Sequence, residues 1–182
     1  MYGMIHKAAR AYGTEKLGDA GWAAFVATQG LDDAHFVVSQ DYGDETTFGL
    51  IVALAELLDM PLDDFLRDFG HFWIAYSGRG AYANLMPLGG VTLPGFIRNL
   101  NRMHAGLALA MPGARMPRFE IVADQEDGFA VSYASTRSGL EPFVMGLLEG
   151  LCTWFGVAAA VSQRPAPEAR TFDVRYTAQE AA

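Results

Sequence analysis

The fold is decided by residues 92–111, TLPGFIRNLNRMHAGLALAM. Thr92 can cap a helix, Pro94 suits its first turn, and Pro112-Gly113 would end it. At helical spacing one face of this helix carries an apolar stripe with a single polar member: Ile97, Leu100, His104, Leu107 and Met111. An imidazole in such a stripe must satisfy two ring nitrogens where water is scarce. Taken alone, the pattern indicates a core histidine bonded to a backbone carbonyl, because a lone histidine is a weak sign of a metal.

The composition indicates one domain with a large core or an apolar pocket. The 182 residues are 51% hydrophobic and 12% aromatic, which is enough for one sizeable core. The net charge of -8, without a basic run, excludes non-specific nucleic-acid binding and binding to an anionic membrane surface. The single cysteine, Cys152, excludes an intrachain disulfide and a thiolate metal cluster. Because no signal peptide or membrane span is recognisable, we expect a cytoplasmic protein.

The hydrophobic periodicity changes along the chain from helical spacing to alternation. Residues about 1–112 predict helices, with a break at Gly13 and with a bend or a close contact at Gly70. Residues about 113–182 predict four strands and one inserted helix, which a capping box at Ser138 would begin. We therefore expect an α+β fold in one domain, 1–182: a mostly helical N-terminal part followed by a small antiparallel sheet of about four strands.

A second polar pattern lies in the predicted strand that contains YASTR. Tyr133, Ser135 and Arg137 alternate along it, so a phenol, a hydroxyl and a guanidinium would form a row about 13 Å long at ~3.3 Å per residue. All three donate hydrogen bonds, and the arginine can hold a carboxylate through two of them. Two interpretations stay open: the solvated outer face of an edge strand, or a site for a ligand with paired carboxylates.

The remaining polar residues predict no catalytic site. His6, His35 and His71 stand at no helical spacing from another histidine, so the usual two-histidine zinc geometry is missing. The acid pairs Asp32-Asp33 and Asp63-Asp64 have no evident companion for acid–base chemistry. No nucleophile elbow and no peroxidase-like distal His/Arg pair can be recognised. We expect the chain not to be an enzyme.

The histidine helix and the Tyr-x-Ser-x-Arg row together resemble the haem nitric oxide/oxygen-binding (H-NOX) family, which includes the sensor domain of soluble guanylate cyclase. The similarity extends over nearly the whole chain: the MYGMI start, the helix ending in GHFW, the histidine helix, PGARMPRF, YASTR and GLLEG. Its most specific part is the Tyr-x-Ser-x-Arg row about 30 residues after a helical histidine. The helical histidine alone, or the Tyr-x-Ser-x-Arg row alone, would be weak evidence for the family.

The resemblance implies that the fold encloses haem b, iron protoporphyrin IX. His104 would be the proximal ligand of the haem iron, binding as a neutral imidazole. Tyr133, Ser135 and Arg137 would bind the two haem propionates. Further residues of the haem pocket, some of which would distort the porphyrin, would be Ile5, Pro117, Leu100 and Leu107.

The distal pocket implied by the resemblance contains Phe143, Trp73 and Ile74. Oxygen-binding members of the family carry a distal tyrosine that donates a hydrogen bond to dioxygen. Phe143 falls near that place, and residues 140–146 contain no tyrosine. An apolar distal pocket would select nitric oxide, with carbon monoxide as a weaker surrogate. Trp73 is larger than the side chain common in the family, and an indole N–H aimed at the iron would weaken this selectivity.

The predicted function is that of a haem-based gas sensor for nitric oxide and carbon monoxide at ferrous haem. Ligand binding would weaken or break the iron–His104 bond and free the helix to shift. Because no catalytic domain follows within the 182 residues, the signal would pass to a separate partner, which in the family is a histidine kinase or a cyclic-di-GMP enzyme. The alternative is a haem-free module that binds an apolar ligand or another protein, with His104 merely packed.

Overall fold

The computed structural model describes residues 1, 3–79, 83–84, 86–111 and 113–177. Within these residues it contains five α-helices: α1 Gly3–Thr28, α2 Asp44–Leu57, α3 Leu62–Arg79, α4 Leu93–Ala110 and α5 Glu141–Trp154. Two short 3-10 helices span Asp33–Phe36 and Met86–Gly89. The four strands are β1 Arg118–Gln125, β2 Gly128–Ala134, β3 Ala159–Gln163 and β4 Thr171–Tyr176. The predicted α+β class, with a four-stranded antiparallel sheet and one inserted helix, is confirmed.

The chain divides into two compact units. The first comprises Met1–Phe65 with Met111–Ala114, and the second comprises Leu66–Ala110 with Arg115–Ala182. The single haem-binding domain over residues 1–182 stays a prediction. No helix among the described residues is both long and apolar enough to cross a membrane.

In the first unit a buried histidine joins three elements. The Nδ1–H of His6, on α1, donates to the carbonyl of His35 at 2.8 Å, and its Nε2 lies 2.9 Å from Oγ1 of Thr47 on α2. The imidazole also stacks on the ring of Tyr42 at 4.2 Å between centroids. Burial lowers the pKa of His6. The histidine is therefore structural and holds α1 against α2 and the 3-10 helix at Asp33–Phe36.

The predicted break at Gly13 is wrong, because α1 continues to Gly18 and kinks there in the left-handed region, with φ of 71°. Gly13 is present for space: a Cβ at this position would overlap the ring of Trp22. The glycine therefore admits an aromatic side chain instead of ending the helix.

In the second unit the sheet has the order β1-β2-β4-β3, and all neighbouring strands are antiparallel. β1 is therefore an edge strand, whereas β2 has a neighbour on each side. The core of this unit combines inward residues of the sheet with residues of α3, α4 and α5; its fully buried members include Ile97, Val131, Val144, Phe172 and Val174. This packing fixes α4 and α5 on the sheet.

Helices α3 and α5 approach closely enough for their backbones to touch. A Cβ at Gly70 of α3 would overlap the carbonyl oxygen of Phe143, and a Cβ at Gly146 of α5 would overlap that of Arg67. The second glycine of the pair lies one turn before Gly150, where a Cβ would come within 2.9 Å of Ile74. The close contact predicted at Gly70 is thus the backbone of another helix, and α3 runs through this position without a break.

The helix that carries His104 begins as predicted. The N–H of Gly95 donates to Oγ1 of Thr92 at 3.2 Å, which is an N-cap bond. The helix ends at Ala110, one residue before the predicted end, and Gly113 has the left-handed φ of 88°. Pro112, part of the predicted stop, lies outside the described residues.

The predicted capping box at Ser138 is wrong. Helix α5 begins at Glu141, after Leu140 at the N-cap position without a side-chain cap bond. Pro142 explains the difference, since proline has no N–H to donate and is tolerated only in the first helical turn. A helix begun at Ser138 would have placed this proline inside the helix.

Candidate functional site

His104 lies on the half-buried side of α4, where one of its ring nitrogens is hydrogen-bonded. Its Nδ1 lies 3.0 Å from the carbonyl oxygen of Pro117. A carbonyl can only accept, so Nδ1 carries the proton and Nε2 presents its lone pair. Nε2 has no hydrogen-bond partner among the residues that the structure describes.

The surroundings of His104 favour the neutral imidazole. Burial lowers its pKa, and the hydrogen bond to Pro117 only partly opposes this effect. Histidines that bind metals commonly donate the other ring N–H to a backbone carbonyl, which fixes the tautomer and the ring orientation. The carbonyl bond expected of a merely packed histidine is therefore present, but it leaves the second nitrogen ready to coordinate.

Asn101 fixes the same helix to the sheet, and the sequence patterns did not single it out. It stands one turn before His104; its Nδ2–H donates to the carbonyl of Phe119 at 2.7 Å, and its Oδ1 accepts the N–H of Phe119 at 2.9 Å. These backbone groups point away from β2 at the edge of the sheet, so the amide takes the place of a missing strand. An asparagine three residues from an inward histidine was the available signal, because a half-buried amide needs partners.

A chain of aromatic contacts joins His104 to the Tyr-x-Ser-x-Arg segment. The ring centroid of Phe119 lies 6.2 Å from that of His104 and 5.4 Å from that of Tyr133. Phe119 and Tyr133 are direct cross-strand partners on β1 and β2. The structure thus brings His104, Pro117 and Tyr133 into one cluster.

The three predicted propionate-binding residues do not form a continuous strand row. β2 ends at Ala134, which pairs with the first residue of β1, so Ser135 and Arg137 lie beyond the sheet. The N–H of Arg137 donates to Oγ of Ser135 at 3.1 Å, a local side-chain bond that competes with strand pairing. The solvated edge-strand interpretation is also wrong, because β2 is interior and Tyr133 is only 5% exposed.

The hydroxyl groups of this segment are available as donors. The phenol of Tyr133 and the hydroxyl of Ser135 donate to no acceptor in the described part of the chain. Arg137 donates from Nη1 to the carbonyl of Arg115 at 3.0 Å. Two hydroxyls and a cationic side chain within five residues are groups that suit an anion with several oxygens, such as a carboxylate.

Arg170, just before β4, also belongs to the site and was missed. Its guanidinium donates to the carbonyls of Ser135 and Arg137 at 2.9 and 2.8 Å, and to the carboxylate of Glu141 at 3.1 Å. A lone arginine 33 residues after Arg137 gave no signal in the sequence, because only the pairing of β2 with β4 brings the two together.

The predicted distal residues lie on α3 and α5. Trp73 is half-buried with its ring 6.3 Å from that of Tyr76, and Ile74 is a buried core residue. Phe143 is half-buried, with its ring 5.7 Å from that of Phe69. Burial raises the pKa of Tyr76, so this phenol, which the sequence patterns did not single out, stays protonated at neutral pH.

Three further predicted pocket residues are apolar and half-buried. Leu100 packs against the core of the second unit, and Leu107 lies on α4 one turn after His104. Ile5 lies on α1, in the first unit. Their proximity to a cofactor stays a prediction, as does pressure from Pro117 on a porphyrin.

Comparison with known proteins identifies one family throughout. The model of the family described as "Haem-NO-binding" matches residues 2–163. The soluble guanylate cyclases gcy-31 and gcy-35 of Caenorhabditis elegans are 23% and 24% identical over 83% and 81% of this chain. The chain spans only 22% of the length of each of these two relatives.

Two solved structures of H-NOX proteins share this fold. An H-NOX protein from S. oneidensis in the Fe(II)NO ligation state superposes with a TM-score of 0.83 at 17% identity, over 98% of this chain and 100% of that one. An Fe(II) unliganded H-NOX protein from K. algicida gives a TM-score of 0.80 at 16% identity, over the full length of both chains. At these identities the superpositions establish the fold.

Proposed function

Because the chain belongs to the haem-NO-binding family, as its sequence pattern predicted, we propose that it senses nitric oxide through a haem b held by His104. The observation that carries the proposal is the state of this one side chain: Nδ1–H is bonded to Pro117, and Nε2 is neutral and has no partner among the described residues. Haem would supply a ferrous iron that binds nitric oxide.

The hydroxyl groups of Tyr133 and Ser135 support a haem rather than a bare metal ion. Tyr133 and Ser135 would donate their hydroxyl protons to the propionates, and Arg137 would add charge. Phe119, which touches both His104 and Tyr133, would form an apolar surface between the iron ligand and the propionate end. Polar groups at one end and apolar groups elsewhere would hold an amphipathic macrocycle in one orientation.

The distal residues support selectivity for nitric oxide over dioxygen. Phe143 carries no hydrogen-bond donor, and bound dioxygen, unlike nitric oxide on ferrous iron, needs one. Trp73 and Tyr76, two donors on α3, would stabilise bound dioxygen if they reached it. We propose an apolar distal pocket that takes nitric oxide and, more weakly, carbon monoxide.

The signal would be a movement of α4 against β1. His104 would lose its hold on the iron when nitric oxide binds, and the helix would then be held to the sheet by the bonds of His104 to Pro117 and of Asn101 to Phe119. A helix that is held by the iron in one state and by these bonds alone in the other would act as a two-state switch. The output would go to a partner protein or domain, with a histidine kinase or a cyclic-di-GMP enzyme as the proposed recipient.

An absorption spectrum tests the cofactor and its ligand together. The purified chain should show a Soret band that shifts when nitric oxide is added to the reduced protein. His104→Gly should lose or shift the band, and free imidazole should restore it. His71→Gly is the matched control, because His71 is exposed on α3 and its side chain lies 3.3 Å from Oγ1 of Thr153. A chain that takes up no haem would support the haem-free alternative, and an unchanged spectrum in His104→Gly would refute the ligand assignment.

Exposure of the reduced protein to air tests the selectivity. We expect no stable oxygen complex in the wild-type chain. A persistent oxygen complex that is lost in Trp73→Phe would show that the indole N–H reaches the ligand, and it would refute the apolar distal pocket.

A further inference from the structure

One arginine contacts all three residues of the Tyr-x-Ser-x-Arg segment. The carbonyl of Arg170 accepts the N–H of Tyr133 at 2.8 Å, and the guanidinium carbon lies 5.9 Å from the centre of the Tyr133 ring. The same guanidinium donates to the carbonyls of Ser135 and Arg137 at 2.9 and 2.8 Å. Its Nε–H donates to the carboxylate of Glu141, in the first turn of α5, at 3.1 Å.

These bonds replace the sheet where the sheet ends. β2 stops at Ala134, so the backbone of residues 135–137 pairs with no strand among the residues that the structure describes. One planar donor that holds the carbonyls of both Ser135 and Arg137 fixes the course of this bent segment. These backbone bonds act together with the bond of the Arg137 N–H to Oγ of Ser135 at 3.1 Å and that of Arg137 Nη1 to the carbonyl of Arg115 at 3.0 Å.

The carboxylate of Glu141 orients the guanidinium in turn. Its side chain is 17% exposed, against 40% for that of Arg170, so the carboxylate is the more buried partner. Arg170 therefore links β4, the segment after β2 and the start of α5.

We infer that Arg170 is a positioning residue: it holds Tyr133, Ser135 and Arg137 ready to receive the haem propionates, and it does not itself contact the propionates. The inference rests on the proposed function, since it concerns how the same site holds its cofactor. It assigns the retention of haem to a residue outside the Tyr-x-Ser-x-Arg pattern.

The test is the rate at which haem passes from the full chain to an excess of apomyoglobin, measured with haem and with its dimethyl ester. Arg170→Met should accelerate the loss of haem about tenfold, the effect of about one net hydrogen bond. It should leave the loss of the dimethyl ester almost unchanged, because the esterified propionates cannot accept the same charge-assisted bonds. Equal acceleration for both cofactors would mean a merely structural role and would overturn the inference, as would no acceleration for either.

Three variants separate positioning from charge and from misfolding. Arg164→Met is the matched control, because Arg164 bonds the carboxylates of Asp173 and Glu168 and has no contact with the segment; it should lose haem at the wild-type rate. Arg170→Met/Glu141→Gln keeps the net charge and should still lose haem faster, whereas a wild-type rate would overturn the inference. If Arg170→Met does not fold, Arg170→Lys keeps the charge without the planar fork and should show a smaller acceleration confined to haem. A wild-type chain that binds neither cofactor would refute the proposed function instead.

Discussion

Replacing Asn101 with alanine removes both hydrogen bonds through which α4 holds the backbone of Phe119. The bonds are 2.7 and 2.9 Å long and partly buried. A buried polar group left without a partner costs about 1–3 kcal/mol, and water can reach part of an edge strand, so we take about 1–1.5 kcal/mol for each group. The free energy of unfolding should therefore fall by about 2–3 kcal/mol. In a chain of this size the melting temperature should fall by about 4–12 °C.

Urea unfolding of the full chain, followed by circular dichroism, measures this loss. Asn101→Asp keeps an acceptor for the N–H of Phe119 but loses the donor to its carbonyl, so it should fall between wild type and Asn101→Ala. Arg102→Ala is the control, because Arg102 is the exposed neighbour on the same helix and should change the free energy by no more than about 0.5 kcal/mol. If Asn101→Ala is as stable as Arg102→Ala, the amide does not hold the helix on the sheet.

Three further predictions concern other parts of the chain. Burial raises the pKa of the Cys152 thiol to about 11, so only about 0.1% of this cysteine is thiolate at pH 8. A disulfide reagent should therefore modify Cys152 slowly until denaturant is added. Fast modification of the native chain would contradict this prediction. Burial lowers the pKa of His6 below 6.5, so the unfolded chain binds the proton of this histidine more tightly than the folded chain does. The free energy of unfolding should therefore be full above pH 6.5 and decrease as the pH falls below that value. Urea titrations at several pH values should show a smaller decrease in His6→Gln. Gly146→Ala should lower the free energy of unfolding by about 1–3 kcal/mol, because the new Cβ would push α5 away from the carbonyl of Arg67. Gly49→Ala, in open space on α2, should raise it by up to about 1 kcal/mol. Equal effects of the two substitutions would mean that α3 and α5 are not in contact.

The local part of the fold could be predicted from the sequence. The cap of α4 at Thr92 and the hairpin of β1 and β2 depend on residues within a few positions of one another, so periodicity and turn chemistry identify them. His104, the single polar member of an apolar stripe, likewise stands out in the sequence. The tautomer that leaves its Nε2 lone pair available is set by the carbonyl of Pro117, only 13 residues away.

The features that could not be predicted depend on residues that are distant in the sequence. The end of β2 at Ala134 is set by where β1 begins, which no pattern within YASTR reveals. Asn101 and Arg170 act on backbone groups 18 to 35 residues away, and their roles follow from the arrangement of the strands. Gly13 predicts a helix break from the local pattern, but it makes room for the ring of Trp22, which lies beyond the kink at Gly18.

Where α3 crosses α5 at Gly70 and Gly146, main chain lies directly on main chain. The two helices that carry Trp73 and Phe143 therefore form a stiff wall. Under the proposed function, a new side chain at either aromatic position would change what an incoming gas molecule meets without moving the two helices. Gas preference would then be adjustable one side chain at a time, while the proposed signalling motion belongs to α4.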